Sequence, residues 1–209
     1  MSMDINLLDI PSTYQTCNKV GIRPDFSRFP EVIRKIRLQH ELEAEEGSEQ
    51  NIAVMTVAPN HAGQAKFADN LQKWGWEVRQ GHFQLTRLGV KVGNAVGHIE
   101  SCAASIAVIL AKVGSTDDAT AVVISNDPLL GRALIELAKD EELSFDRRIV
   151  IAWSRQSRHP LWDFVLERAG KALEFADLDQ FPELFSKPFP NRDEAAEAAL
   201  DAASKREII

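Results

Sequence analysis

The sequence predicts an α/β fold, a three-layer sandwich around a mostly parallel central sheet. Two observations carry that expectation. Short apolar runs, Ile52 to Ala58 and Ala119 to Ser125 the clearest, are bounded by polar residues, as strands buried on both faces are. Segments with apolar residues at helical spacing alternate with them, and such alternation calls for right-handed crossovers between parallel strands.

Taken in order, Ile5 to Ile10 reads as a strand that ends in Asp9, and a helix opens at Asp25-Phe-Ser-Arg-Phe-Pro. That helix carries Phe29, Val32, Ile33 and Ile36 on one face. The acidic run from Glu41 to Gln50 reads as a solvated loop before the strand at Ile52. A helix through Phe67 and Leu71 leads to a short strand from Trp76 to Arg79. Gly89 to Val113 reads as a long helix with a loose start. The strand Ala119 to Ser125 runs into Asn126-Asp127-Pro128, and a helix follows through Leu130, Leu134 and Leu137. Ile149 to Trp153 is a further strand, Leu161 to Ala169 a helix, and Leu173 to Leu178 an edge strand.

A length of 209 residues suits one domain, expected over residues 1–186, with a short appendage. Residues 187–209 differ: Pro188 and Pro190 break the chain, and Asn191 to Glu194 resembles a capping box before an Ala/Glu-rich helix. That helix reads as solvated, with a protein partner as the other possibility. The chain is 44% apolar and 26% charged, ordinary for a globular protein. Cys17 and Cys102 show no metal spacing and suggest no disulfide framework. The opening MSMDINLLDI has no basic start or long apolar run, so neither a signal peptide nor a membrane span is expected, and the cytoplasm is the expected location. Net charge is −7, with an isoelectric point near 5.3, which argues against coating nucleic acid by overall charge. A local site remains compatible, because a bound metal can supply the positive charge that meets phosphate.

In open parallel sheets, sites form outside the carboxyl ends of the strands. Asp9 and Asp127 both stand there. Paired carboxylates at such an edge suit Mg²⁺ or Mn²⁺, which favour carboxylate and water ligands. Each aspartate also reads as a helix N-cap or Asx-turn residue. Residues 153–160 (Trp-Ser-Arg-Gln-Ser-Arg-His-Pro) follow a strand at the same edge. Arg155 and Arg158 there have no close acid in sequence and suit bidentate phosphate contacts, against the alternative of pairing with acids elsewhere. His159 reads as a turn residue before it reads as a general base. Trp153 and Trp162 suit either base stacking or the core.

These residues lead to a family. The segment Leu7 to Ile36 (LLDIPSTYQTCNKVGIRPDFSRFPEVIRKI) resembles the opening of NYN domains, a branch of the PIN-like nuclease superfamily. Leu88 to Ile99 (LGVKVGNAVGHI) is similar to a helix start of that family, and Val122 to Leu134 (VVISNDPLLGRAL) to its strand and turn ending in aspartate. Glu174-Phe-Ala-Asp-Leu-Asp resembles its closing motif. The likeness runs through most of residues 5–185. It implies an α/β nuclease fold, Mg²⁺ or Mn²⁺ as cofactor, and single-stranded RNA as partner. By that likeness Asp9 and Asp127 are the catalytic and metal-binding acids. Ser12, Lys91, Ser125, Asn126, Arg155 and Arg158 face RNA or its phosphates.

The match breaks where the family carries further acids, since Lys91, Gly97 and Leu129 stand at those places. Glu100, three residues after Gly97, is a substitute metal ligand or an ordinary exposed glutamate. Two acids can anchor one hydrated cation, whereas a two-metal clamp needs more ligands. Two readings therefore stand: a metal-dependent ribonuclease with a reduced cluster, and an inactive relative serving as an RNA- or protein-binding module. A phosphatase of the haloacid dehalogenase type also starts from an aspartate after a strand. It needs a second acid two residues on, where Pro11 stands.

Overall fold

The computed structural model describes residues 4–42, 49–55, 62–80, 95–114, 119–138, 149–169 and 173–190. Within them the elements run β1 (Asp4–Asp9), α1 (Ile10–Lys19), α2 (Phe29–Gln39), β2 (Gln50–Met55), α3 (Ala62–Lys73), β3 (Glu77–Gln80), α4 (Ala95–Gly114), β4 (Thr120–Ile124), α5 (Pro128–Ala138), β5 (Ile149–Trp153), α6 (Leu161–Ala169) and β6 (Leu173–Asp177). The strands form one sheet in the order β3-β2-β1-β4-β5-β6. Every pairing is parallel.

Alternate strand residues point to opposite faces, so each inner strand feeds two cores. Leu8, Ala53, Ile124 and Ala152 pack with Phe29, Val32, Ile33 and Ile36 of α2 and Leu71 of α3. Leu7, Val54, Val123 and Ile151 pack with Ile106 and Leu110 of α4, Leu134 of α5, and Trp162 and Val165 of α6. The result is a three-layer α/β sandwich. At roughly 1.5–3 kcal/mol per large apolar side chain removed from water, the four-residue stripe of α2 stabilises that helix far more than propensity does. On the other face α5 approaches α6 closely. A Cβ built at Gly131 would lie 2.8 Å from Val165 Cγ2, so any side chain there would force Val165 or its helix to shift.

Several boundaries differ from the sequence expectation. The segment after Asp9 forms α1, a helix that hydrophobic periodicity does not announce, because only Ile10, Ser12, Thr13 and Cys17 are buried and two of them are polar. The next helix begins at Phe29, with Asp25 holding the preceding turn through Ser27 N–H at 3.1 Å. The domain also continues past residue 187. Phe189 is buried against Trp153 and Phe185, with ring centroids 6.0 and 4.9 Å apart. Residues 191–209, and the tail helix expected there, lie outside the described residues. Among the described residues no helix is long and apolar enough to cross a membrane.

The amino-terminal edge of the sheet holds a buried polar network. Arg37 of α2 reaches Asp4 at 2.6 Å and donates to Asn6 Oδ1 at 3.0 Å, and it also bonds Thr120 Oγ1. Glu49 Oε1 lies 3.9 Å from Arg37 Nε. The network ties β1, β4 and α2 together at the edge opposite the two aspartates.

Candidate functional site

The strand order reverses beside β1. After β3 the chain crosses over to start β4 on the far side of β1, and the covering helices change faces with it. Loops diverge at such a switch point, and open α/β sheets bind their ligands there, outside the carboxyl ends of the strands. Asp9 closes β1, and residues 125–127 follow β4, so both candidate acids stand at that switch point.

Local geometry explains how each is held. No loop separates β1 from α1, so Asp9 is both the last strand residue and the N-cap. Its backbone is extended (φ −83°, ψ 93°), and its Oδ1 accepts from Ser12 N–H at 3.1 Å. Its Oδ2 accepts from the Ser125 hydroxyl at 2.9 Å. Ser125 Oγ in turn accepts from Asp127 N–H at 3.1 Å. Asp127 Oδ1 takes Leu129 N–H at 2.9 Å at the start of α5. Ser12 Oγ accepts from Asn126 N–H at 3.1 Å, a second tie between the two strand ends. The N-cap and Asx-turn readings are thus satisfied by the same side chains that form the cluster.

Both carboxylates are buried, Asp9 fully and Asp127 to 2% exposure. Burial pushes Asp9 up to about 7 from its ordinary value of 3.8, and the Asp127 charge adds to the rise. The bonds from Ser12 and Ser125 pull the other way without cancelling it. Cys102 of α4 is buried next to both acids, and its thiol is driven above its usual range by burial first and then by the two carboxylates. It is a neighbour that sequence spacing did not single out, since only the packing of α4 across β1 and β4 places it there.

The structure thus brings Asp9, Ser12, Ser125, Asn126 and Asp127 together. Lys91 lies outside the described residues. Glu100 belongs to the backbone of α4, and its side chain lies outside them also. Asn126 is committed to loop architecture: its amide nitrogen donates to Ser157 O at 3.1 Å, and its oxygen accepts His159 N–H at 2.8 Å.

Both arginines have acids within reach, the alternative that the sequence left open beside phosphate contact. Arg158 ion-pairs with Asp163 and lies over the Phe175 ring, 4.2 Å from its centroid. Arg155 Nε sits 3.6 Å from Asp177 Oδ2, but its side chain is 71% exposed. Trp153 and Trp162 are fully buried and serve the core. His159 Nδ1 accepts from Leu161 N–H at 3.1 Å, a turn contact at the start of α6.

The donor chemistry around Asp9 and Asp127 is all oxygen: two carboxylates and the hydroxyls of Ser12 and Ser125. Such a set is the oxygen chemistry that Mg²⁺ or Mn²⁺ favours. Among the described residues no group of three or more His, Cys, Asp or Glu converges as a metal site, so a two-cation clamp has no support there.

No protein-family model matches the chain. No curated protein matches it either. A solved structure from Vibrio parahaemolyticus, described as a protein of unknown function, is similar to it with a TM-score of 0.56. The identity is 14%, over 84% of this chain and 94% of that one, a likeness of fold alone.

Proposed function

We propose that the chain is an NYN/PIN-like domain that binds single-stranded RNA at the crevice between β1 and β4, with one divalent cation held by Asp9 and Asp127. The observation that carries this reading is the pair of buried aspartates on adjacent parallel strands, joined through Ser125 at the point where the sheet reverses order. A buried acid whose titration is raised further by a second buried acid favours a compensating positive charge. Mg²⁺ or Mn²⁺ would neutralise the pair and polarise a phosphate oxygen.

The chain's own residues perform the rest. Asp9 and Asp127 are fixed in place by backbone N–H groups from the first turns of α1 and α5, so neither needs to reorganise when a ligand arrives. Ser12, which accepts from Asn126 N–H, keeps its hydroxyl proton to donate. Asn126 positions residues 157–159 against the crevice instead of contacting phosphate itself. The protein acts in the cytoplasm as a binding module on this reading. Retention of both buried acids favours a second one, a Mg²⁺- or Mn²⁺-dependent ribonuclease working with a reduced cluster.

Calorimetric titration of Mn²⁺ into the full chain tests the proposal, paired with anisotropy of a labelled single-stranded RNA in Mn²⁺ and in EDTA. Expected are one weak Mn²⁺ site, lost in both Asp9→Asn and Asp127→Asn, and RNA binding that EDTA weakens. Mn²⁺ affinity unchanged by both substitutions, or RNA binding indifferent to the cation, would sink the proposal. Metal-dependent RNA cleavage abolished by Asp9→Asn would select the second reading.

A further inference from the structure

The carboxyl edge of the sheet carries another recess, beyond β5. A cavity of about 350 Å³ opens there, walled by Leu178, Phe185 and Phe189 and rimmed by Gln156, Asp179 and Lys187. Phe185 and Phe189 meet edge to face, and Phe189 is backed edge-on by Trp153, so the aromatic wall is braced from behind. Asp179 takes Gln156 N–H on Oδ2 at 3.3 Å and a bond from the buried Ser154 hydroxyl, and its carboxyl shares a hydrogen bond with that of Asp177. Lys187 and Gln156 are exposed at the mouth.

One loop connects this recess to the aspartate crevice. Asn126 grips Ser157 O and His159 N–H from the β4 side. Asp177 and Asp179 grip Arg155 N–H and Gln156 N–H from the β6 side. Two to three strand spacings of ~4.8 Å separate the two places, roughly 10–15 Å along the edge. A short run of nucleotides spans that distance.

We propose that the recess receives a nucleobase of the RNA strand whose phosphate lies at the Asp9–Asp127 crevice. The inference rests on the RNA-binding reading above and adds to it a base subsite with a preference. A base offers a flat apolar face to the Phe185–Phe189 wall, and stacking of this kind tolerates any base. Its phosphate offers a charge partner for Lys187. The volume lies at the lower end of small-ligand pockets, which suits one base and not a larger cofactor. Selectivity comes from the rim. With the proton it shares directed at Asp177, the Asp179 carboxyl offers the recess only acceptor oxygens, so it favours adenine, cytosine or guanine, each with an exocyclic amino group. Uracil presents two carbonyl oxygens around a single N–H and is disfavoured.

The test is anisotropy of the full chain with labelled oligo(A), oligo(C) and oligo(U) of equal length, in Mn²⁺ at fixed salt. Wild type should bind oligo(A) and oligo(C) about fivefold more tightly than oligo(U), the value of one discriminating hydrogen bond. Asp179→Asn, whose amide can also donate, should erase that preference while keeping the Gln156 contact. Lys187→Ala, at an exposed position safe for folding, should weaken all three and lower the salt slope by about one contact. Equal binding of the three by wild type, or a preference that survives Asp179→Asn, overturns the subsite and leaves the crevice reading intact. Unchanged affinity and salt slope in Lys187→Ala do the same. Failure of wild type to bind any of the three overturns the RNA reading itself.

Discussion

The Ser125 hydroxyl donates to Asp9 Oδ2 at 2.9 Å, so its proton joins the ends of β1 and β4. The same oxygen accepts from Asp127 N–H, which sets the second acid against the first. Ser125→Ala removes both bonds among buried groups. A buried acceptor left unmade costs about 1–3 kcal/mol, and Asp9 should titrate higher once a bond to its charged form is gone. Urea denaturation at neutral pH should show that loss. A midpoint equal to wild type would mean that water or another residue takes over from Ser125.

Stability should also depend on pH through Asp9. Its carboxyl sits at about 7 in the fold against an ordinary 3.8, mainly through burial. Between those values the folded protein holds a proton that the unfolded chain has released, so stability falls as pH rises through the window. At about 1.4 kcal/mol per unit the full effect is on the order of 4 kcal/mol, an upper limit for one group. In EDTA the unfolding free energy should decline from pH 5 to pH 8, and Asp9→Asn should flatten the decline. Adding Mn²⁺ at pH 8 should restore part of it. A wild-type profile as flat as that of Asp9→Asn would show that Asp9 ionises without cost.

The opposite edge supplies an independent check on the fold. Arg37 is 2% exposed, and its guanidinium meets Asp4 and Asn6 of β1 and Thr120 of β4. Arg37→Met would leave the Asp4 carboxylate buried without its counter-ion, a loss of about 3–5 kcal/mol. Adding Asp4→Asn should recover most of that, because the pair's net worth is far smaller than the cost of breaking it on one side. The double variant should keep wild-type Mn²⁺ affinity, since the network lies at the far edge of the sheet. A double variant no more stable than Arg37→Met would show that the ion pair is not what Arg37 contributes.

How much of this was legible in the sequence depended on whether the signal was local. β4 and β5 stand out as unbroken apolar runs because both faces of each strand are buried, and α6 spans Leu161–Ala169 as its spacing predicts. Asp9 and Asp127 are legible as strand-end acids for the same reason. α1 was not, since a helix whose buried face includes Ser12 and Thr13 lacks an apolar stripe. The order of the strands was not legible either, because pairing β1 with both β2 and β4 follows from the crossovers and not from any one segment. Ser125 could be ranked beside Asp9 only through the family resemblance; its bond to Asp9 spans 116 residues of sequence. The contact of Arg158 with Phe175 of β6 was hidden for the same reason, although its ion-pair partner Asp163 lies only five residues on.

The two arginines of the β5 loop should now behave differently from each other. Both looked equally suited to phosphate, but Arg158 is committed to Asp163 and the Phe175 ring, with its side chain 14% exposed. Arg155 is 71% exposed, and an ion pair so open to water is worth little, so a phosphate can compete for it. Arg155→Ala should weaken RNA binding modestly and reduce the salt slope by about one released counterion, with no change in thermal stability. Arg158→Ala should do the reverse. It removes packing on Phe175 and leaves Asp163 without its guanidinium, so it should lower stability by about 1 kcal/mol while leaving the salt slope unchanged. Salt-dependent anisotropy together with thermal denaturation of each single variant separates the two. If Arg158→Ala reduces the salt slope as much as Arg155→Ala, the Asp163 pair opens when RNA binds, and the loop carries both cations to the strand after all.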